Sequence, residues 1–333
     1  MERRRDPLTG EWRTFATHRQ ERTFLPPAAS CPLCPTRDPA APTEIPWDRF
    51  DIAVFDNRFA SLTAHADPPA SPAIGPYQVA PAIGATEVVV YSDDHHANLP
   101  SLGPERLRLL VDVWAERYAA LGSREEVAYV FVFENRGEAV GVTLHHPHGQ
   151  IYAYPEVPPL AARELETARR HLATHGTCLL CEVVGAERAD GTRVLAQNEA
   201  FIAFVPFAAR FPYEVHVLTQ RHAASLLDLQ DHERDALAAM LVQVVGGYDR
   251  LFGFPLPYVM SMHQAPTSDD DWQPVSHFHI EFTPLHRSAE RLKYLAGSEL
   301  GAGAFLNDVA PEHAAALLRA AGESATPPST PPT

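Results

Sequence analysis

The stretch Thr143-Leu-His-His-Pro-His-Gly-Gln-Ile-Tyr-Ala-Tyr154 sets His146, His148 and Gln150 at two-residue spacing. On a strand, residues two apart project to the same side, so these three side chains share a face. Pro147 stiffens the backbone and, lacking an N–H, suits a strand start or an edge. A fixed imidazole is a base, a nucleophile or a metal ligand. Gln150 narrows the choice, because an amide hydrogen-bonds a phosphoryl oxygen but cannot protonate a departing group. That suits a leaving group needing no proton, such as a sugar phosphate, whose second pKa lies near about 6.

The four cysteines fall in two pairs, Cys31 with Cys34 and Cys178 with Cys181. In a reducing compartment such CxxC spacing reads as metal binding or redox chemistry before structural disulfides. Cys31, Cys34, His95 and His146 form a Cys2His2 set suited to tetrahedral zinc, with His96 the rival of His95. If His146 is taken by the metal, His148 stands free beside it. The second half offers Cys178, Cys181, His222 and His277 as the equivalent set. It also offers an oxygen and nitrogen set, Glu164, His263, His277 and His279, with zinc or iron as the candidate ion. Both include His277, so they are expected to compete, with the thiolate set favoured. Either metal would be structural, fastening a loop to strands away from the chemistry.

The elements that position these residues occur twice. "EVVVYSDDHHANLPSL" from Glu87 and "EVHVLTQRHAASLLDL" from Glu214 each run a β-branched strand into a turn and reach a histidine eight residues on, His95 and His222. A helix follows each copy. The first spans about 104–121, with Leu107, Leu110, Val111, Trp114, Tyr118 and Leu121 on one face. The second spans about 231–251, with Leu237, Met240, Val244, Tyr248 and Leu251, and Gly246 and Gly247 weakening its end. Strands then come in pairs, "AYVFVFEN" and "HGQIYAY", "YVMSMHQ" and "HFHIEFTP". The order CxxC, strand–His, helix, strand, His-x-His therefore repeats. It implies a duplicated α+β unit with a mainly antiparallel sheet and helices packed on it. Residues 1–155 and 156–322 are the expected domains, with a proline-rich turn and helix near 155–175 between them and a disordered tail at 323–333.

The chain has 333 residues, of which 27 are Lys or Arg and 42 Asp or Glu, a formal charge of −15. That balance argues against a nucleic-acid partner, which needs clustered cations, but leaves room for a small phosphorylated ligand. The N-terminus has no apolar signal segment and no run reaches a membrane span, so a cytoplasmic location is expected.

"HPHGQ" (146–150), preceded by "FENRG" (133–137), resembles the galactose-1-phosphate uridylyltransferase family, a branch of the histidine-triad superfamily. The resemblance runs almost end to end: "PLTGEW", "HRQER", "CPLC", "VFDNRFASL", "SDDHHANLP", "HFHIEFTPLHRS" and "KYLAGSELGAGAFLNDVAPE" all match it. It implies two histidine-triad-like units and a double displacement. His148 would attack the α-phosphorus of UDP-glucose, release glucose 1-phosphate and pass the uridylyl group to galactose 1-phosphate, with Gln150 on the phosphoryl oxygens. By motif, Asn57 and Arg58 would meet the uridine and Asn135 the nucleotide phosphate, with Thr143 among the substrate contacts. Lys293 and Glu299 would lie near the sugar. Arg19 and Arg22 would reach the ligand from a neighbouring subunit, implying a homodimer. The chain departs from the family at Arg58, where many members have Asp, and at Thr143-Leu144-His145, where they have Ser-Asn-Pro. The second CxxC is shared with a related branch of phosphorylases acting on ADP-glucose, which gives the alternative reading. A zinc-stapled nucleotide-binding module without catalysis is the alternative of another class.

Overall fold

The computed structural model describes residues 1–22, 24–268 and 270–323. Its strands are β1 (Glu2–Arg5), β2 (Trp12–Phe15), β3 (Ala53–Asp56), β4 (Gln78–Pro81), β5 (Ala85–Val90), β6 (Tyr129–Arg136), β7 (His148–Tyr154), β8 (Val194–Gln197), β9 (Phe201–Phe204), β10 (Val215–Thr219), β11 (Tyr258–His263), β12 (His279–Pro284), β13 (His286–Ser288) and β14 (Arg291–Leu292). The helices are α1 (Leu99–Gly122), α2 (Pro159–His175), α3 (Leu179–Asp190), α4 (Asp231–Leu251) and α5 (Pro311–Glu323). The fold is α+β, with one nine-stranded antiparallel sheet in the order β3-β5-β7-β6-β11-β12-β10-β9-β8. Two small sheets, β2-β1-β4 and β13-β14, sit outside it.

The duplication shows in the strand order. β6 pairs with β11 at the centre, and β7, β5 and β3 on one side are matched by β12, β10 and β9 on the other. One cross-strand row runs through both halves: Phe55, Val88, Gln150, Phe133, Ser261, Glu281, His216, Phe204. Directly opposed residues of an antiparallel pair share a face, so this row puts Gln150 and Glu281 at mirror positions on the same side.

The opposite face is the core. Val89, Val132, Ile151 and Ala153 from the first half and Val217, Met260, Ile280 and Phe282 from the second are buried with α1 and α4. Each buried side chain of this size stabilises the fold by roughly 1.5–3 kcal/mol relative to exposure. The apolar positions read from the sequence on α1, from Leu107 to Leu121, are all buried. Asn98 caps α1 by accepting from Ser101 N, and Gly103 (φ 75°) kinks its first turn, so the straight run begins at Pro104. Helix α4 carries on through Gly246 and Gly247 to Leu251, since both glycines are buried between apolar turns that hold them helical.

The expected linker helix is α2, which follows β7 after a proline-rich turn. Of the tail expected to be disordered, Glu323 closes α5, and residues 324–333 lie outside the described residues. No helix among the described residues is long and apolar enough to cross a membrane.

Candidate active site and metal clusters

Strand β7 points His148, Gln150 and Tyr152 away from the core and Gly149, Ile151 and Ala153 into it. Gly149 is required there, because a Cβ would collide with the Tyr91 hydroxyl packed beneath it. The strand is pinned at its start by Tyr91 N–H donating to Pro147 O, 3.1 Å.

The two histidines of the motif are oriented differently. His146 lies 2.7 Å by Nε2 from Ser92 O. A carbonyl only accepts, so Nε2 carries the proton and the Nδ1 lone pair faces Cys34 Sγ at 3.5 Å. For His148 it is Nδ1 that lies 2.7 Å from a carbonyl, that of His146, so Nε2 is the free lone pair. Burial lowers the pKa of both rings, His146 to about 4, and keeps them neutral near pH 7.

His148, Gln150, Asn57, Arg58, Thr143, Arg19 and Arg22 line one cavity of about 130 Å³, closed on the apolar side by Leu33, Phe55 and Val88. Asn57 donates by Nδ2 to Gln150 Oε1 at 3.2 Å. Arg19 donates to Phe59 O at 2.5 Å, and Arg58 pairs with Glu44 at 3.2 Å. The two N-terminal arginines thus line the cavity of their own chain. Asn135 lies on the far side of His148, in an adjoining cavity of about 230 Å³ with Tyr91, Glu134 and His145. Lys293 and Glu299 are held elsewhere: they pair at 2.9 Å, Lys293 buried and Glu299 half-buried, and line neither cavity.

The ligand atoms of Cys31, Cys34, His95 and His146 lie within 4.8 Å of one another. They join the loop before β3 to the ends of β5 and β7. His95, rather than His96, turns its Nδ1 to Cys34 Sγ at 3.4 Å. Burial and the neighbouring Cys31 push the Cys34 thiol up to about 11, so a thiolate here needs a cation beside it. The donor set fits a metal ion.

Cys178, Cys181, His222 and His277 gather in the same way. His277 places Nε2 2.9 Å from Thr219 O, leaving Nδ1 for Cys178 at 3.6 Å and Cys181 at 3.5 Å. His222 does likewise, with Nε2 2.8 Å from Gln273 O and Nδ1 3.7 Å from Cys181. The expected competition through His277 does not occur. Both of its nitrogens are spent on Thr219 and the cysteines, and Glu164, His263 and His279 form a separate group without it. The sets can be filled together.

Around that third group lie residues that sequence reasoning passed over. Glu281 is contacted by Arg210 at 2.6 Å and by His216 at 3.2 Å, and His216 is 2.9 Å from Glu214. His263 sits between Glu164 at 2.8 Å and Glu281 at 3.7 Å. Burial alone would raise the Glu281 carboxyl, but His216, His263 and Arg210 outweigh it and hold it well below the usual range. The signal was in the sequence: His277-x-His279-x-Glu281 copies the spacing of His146-x-His148-x-Gln150, and Glu214-x-His216 alternates the same way. Glu164, His216, His263, His279 and Glu281 face a cavity of about 650 Å³ under α2 and α3.

Residues 1–158 match the family described as galactose-1-phosphate uridyl transferase, N-terminal domain, and residues 164–326 match galactose-1-phosphate uridyl transferase, C-terminal domain. The chain is similar to a galactose-1-phosphate uridylyltransferase of Thermotoga maritima, 39% identical over 319 residues that span 96% of this chain and 98% of the relative. It is similar to a solved uridylyltransferase structure, 36% identical, with 98% of this chain and 100% of that one covered at a TM-score of 0.87. A solved ADP-glucose phosphorylase of Arabidopsis thaliana with bound ADP-glucose shares the fold, at 23% identity, 96% and 99% coverage and a TM-score of 0.72.

Fold, cavity and relatives define the class: an α+β nucleotidyltransferase. Within that class, the chain belongs to the galactose-1-phosphate uridylyltransferase family.

Proposed function

We propose that the protein transfers a uridylyl group reversibly between UDP-glucose and galactose 1-phosphate, by way of a covalent uridylyl-histidine on His148. The observation that carries this reading is the orientation of that ring. His146 O holds the Nδ1 proton, so Nε2 is an unprotonated nucleophile lining the cavity with Gln150 and Asn57.

In the first half-reaction the Nε2 lone pair forms a bond to the α-phosphorus as the bond from that phosphorus to the bridging oxygen breaks. Glucose 1-phosphate leaves with the electron pair and needs no proton, since its second pKa is near about 6. Positive charge developing on the ring is shared through Nδ1–H with His146 O. Gln150 donates to the phosphoryl oxygens as charge builds on them. In the second half-reaction a phosphate oxygen of galactose 1-phosphate attacks the same phosphorus and His148 leaves as the neutral ring. Arg19, Arg22 and Arg58 supply positive charge around the nucleotide, Asn135 meets its phosphate from the adjoining cavity, and Thr143 completes the wall. Lys293 and Glu299 serve the sugar only by meeting it away from these two cavities.

Zinc suits both thiolate sets, Cys31/Cys34/His95/His146 and Cys178/Cys181/His222/His277. Zinc or iron suits Glu164, His263 and His279. Bound there, the metals would supply structural cross-links. Residues 1–155 would carry the chemistry and 156–322 the supporting half, in a cytoplasmic homodimer. The shared fold of the ADP-glucose phosphorylase and the second thiolate set favour one alternative, adenylyl transfer from ADP-glucose at the same histidine.

The test is isotope exchange. Wild-type protein given UDP-glucose and labelled glucose 1-phosphate, with no galactose 1-phosphate, should move label into UDP-glucose, because the first half-reaction runs alone. Exchange with ADP-glucose only would transfer the reading to the alternative, and exchange with neither would overturn both.

A further inference from the structure

We propose that Asn57 is a positioning residue that sets which end of the Gln150 amide faces the transferring phosphoryl group. The inference builds on the uridylyl-transfer reading above.

The orientation follows from one donor that has no alternative role. Phe59 N–H can only donate, and it lies 2.8 Å from the Asn57 side chain, so the atom it meets is the carbonyl Oδ1. The other end of Asn57 is then the NH2 group, which can only donate. It lies 3.2 Å from the Gln150 side chain, so it meets Oε1. Gln150 Oε1 is thereby committed to Asn57. Its Nε2 has no hydrogen-bond partner among the described residues, and its cross-strand neighbours Val88 and Phe133 offer it none. The two N–H groups are what remains for a ligand in the cavity that Asn57, Gln150 and His148 share.

An amide turned end for end would present its carbonyl oxygen to a phosphoryl oxygen, two acceptors facing each other. Nothing in Gln150 itself prevents that flip. Asn57 can prevent it because its own place is fixed: its backbone N–H donates to Thr86 O at 2.8 Å, and the Thr86 hydroxyl donates to Leu62 O at 2.7 Å, tying residues 57–62 to β5. The mirror position in the second half shows why the device occurs once. Glu281 has two equivalent oxygens and needs no orientation.

The test is a double-mutant cycle on the single-turnover rate of His148 nucleotidylation, measured by rapid quench with α-³²P UDP-glucose. Asn57→Asp keeps an acceptor for Phe59 but offers Gln150 no donor, so the amide turns. The rate at saturation should fall about 100-fold, while the half-saturating concentration changes by less than about threefold. Asn57→Ala, which removes the constraint without adding charge, should lose about two- to threefold, since the amide then samples both orientations and only one is competent. In a Gln150→Ala background Asn57→Ala should cost almost nothing, and Asn57→Asp no more than the about tenfold that its added charge brings, because there is no amide left to orient. Additive losses, or a raised half-saturation with the rate unchanged, would overturn the positioning role and leave Asn57 as a ligand contact. A wild-type protein that forms no intermediate at all would instead overturn the transferase reading and this role with it.

Discussion

His148 and His279 begin mirror strands of one sheet, β7 and β12, and each has Nδ1 held by the carbonyl two residues upstream, at 2.7 and 2.8 Å. Each follows a histidine that turns a free nitrogen to a CxxC pair. The rings are therefore held alike and share a tautomer. Their neighbours are not alike. Beside His148 stand an amide and the apolar Val88; beside His279 stand the Glu281 carboxylate and, opposite it, His216. An amide receives a phosphoryl oxygen, whereas a carboxylate repels it and draws cations. Holding an imidazole in the right tautomer is thus not enough to make a nucleophile for phosphorus. The residue two positions on decides whether the pocket accepts an anion or a metal.

The comparison is broken most directly by removing each histidine. His148→Gly should lower turnover by more than about 10⁴-fold, while His279→Ala should leave it within about threefold. Equal losses would mean the halves are not divided in this way. A charge swap comes next. Gln150→Glu gives the first half the carboxylate of the second and should slow nucleotidylation by about 10²–10³-fold. Glu281→Gln should barely affect the rate but should cost roughly 1–2 kcal/mol in chemical denaturation, since Arg210 and His216 keep Glu214 but lose the second of their two buried counter-charges.

The halves also bury carboxylates with opposite consequences for pH. Burial outweighs Arg136 and Tyr258 and raises Glu134 on β6 to about 7, from an ordinary 4.5. A raised carboxyl pKa contributes stability that is complete below pH 4.5 and is lost as pH rises through about 7. Glu134→Gln, which cannot ionise, should therefore gain on the wild type between pH 4.5 and 8, by up to about 3 kcal/mol at the top. Glu281, held low, behaves the other way and loses its contribution as the medium is acidified. A denaturation series from about pH 3 to 8 separates the two, Glu134 acting above pH 4.5 and Glu281 below it. The smallest effect expected is local: Cys31→Ser should speed amide exchange about tenfold around residues 28–47 and spare the loops near Cys178. Uniform exchange across both halves would show that the clusters do not fasten separate parts.

Much of this was legible in the residues. The two-residue period gave the shared face of His148 and Gln150, though His146 lies before the strand; the copied strand–His–helix order gave the duplication, and the apolar spacing from Leu107 to Leu121 gave the face of α1. The meeting of β6 and β11 was not legible, because Phe133 and Ser261 are far apart in the chain and nothing local encodes their pairing. Nor was the allocation of His277. His-x-His offers two nitrogens on each ring, and only the nearby Thr219 carbonyl decides which faces the cysteines. The need for glycine at 149 depends on Tyr91, just past the end of β5, packing beneath it. Glu281 was visible as a repeat of the Gln150 position but was not read, since its role depends on Arg210 and His216, which are distant in the chain.

The most direct measurement is to trap the intermediate and map it. Protein mixed with α-³²P UDP-glucose, quenched in alkali and digested, should carry alkali-stable, acid-labile label on the peptide containing His148 and none on the peptide containing His279. Label on the His279 peptide, or a His148→Gly protein that still takes up label, would contradict the account.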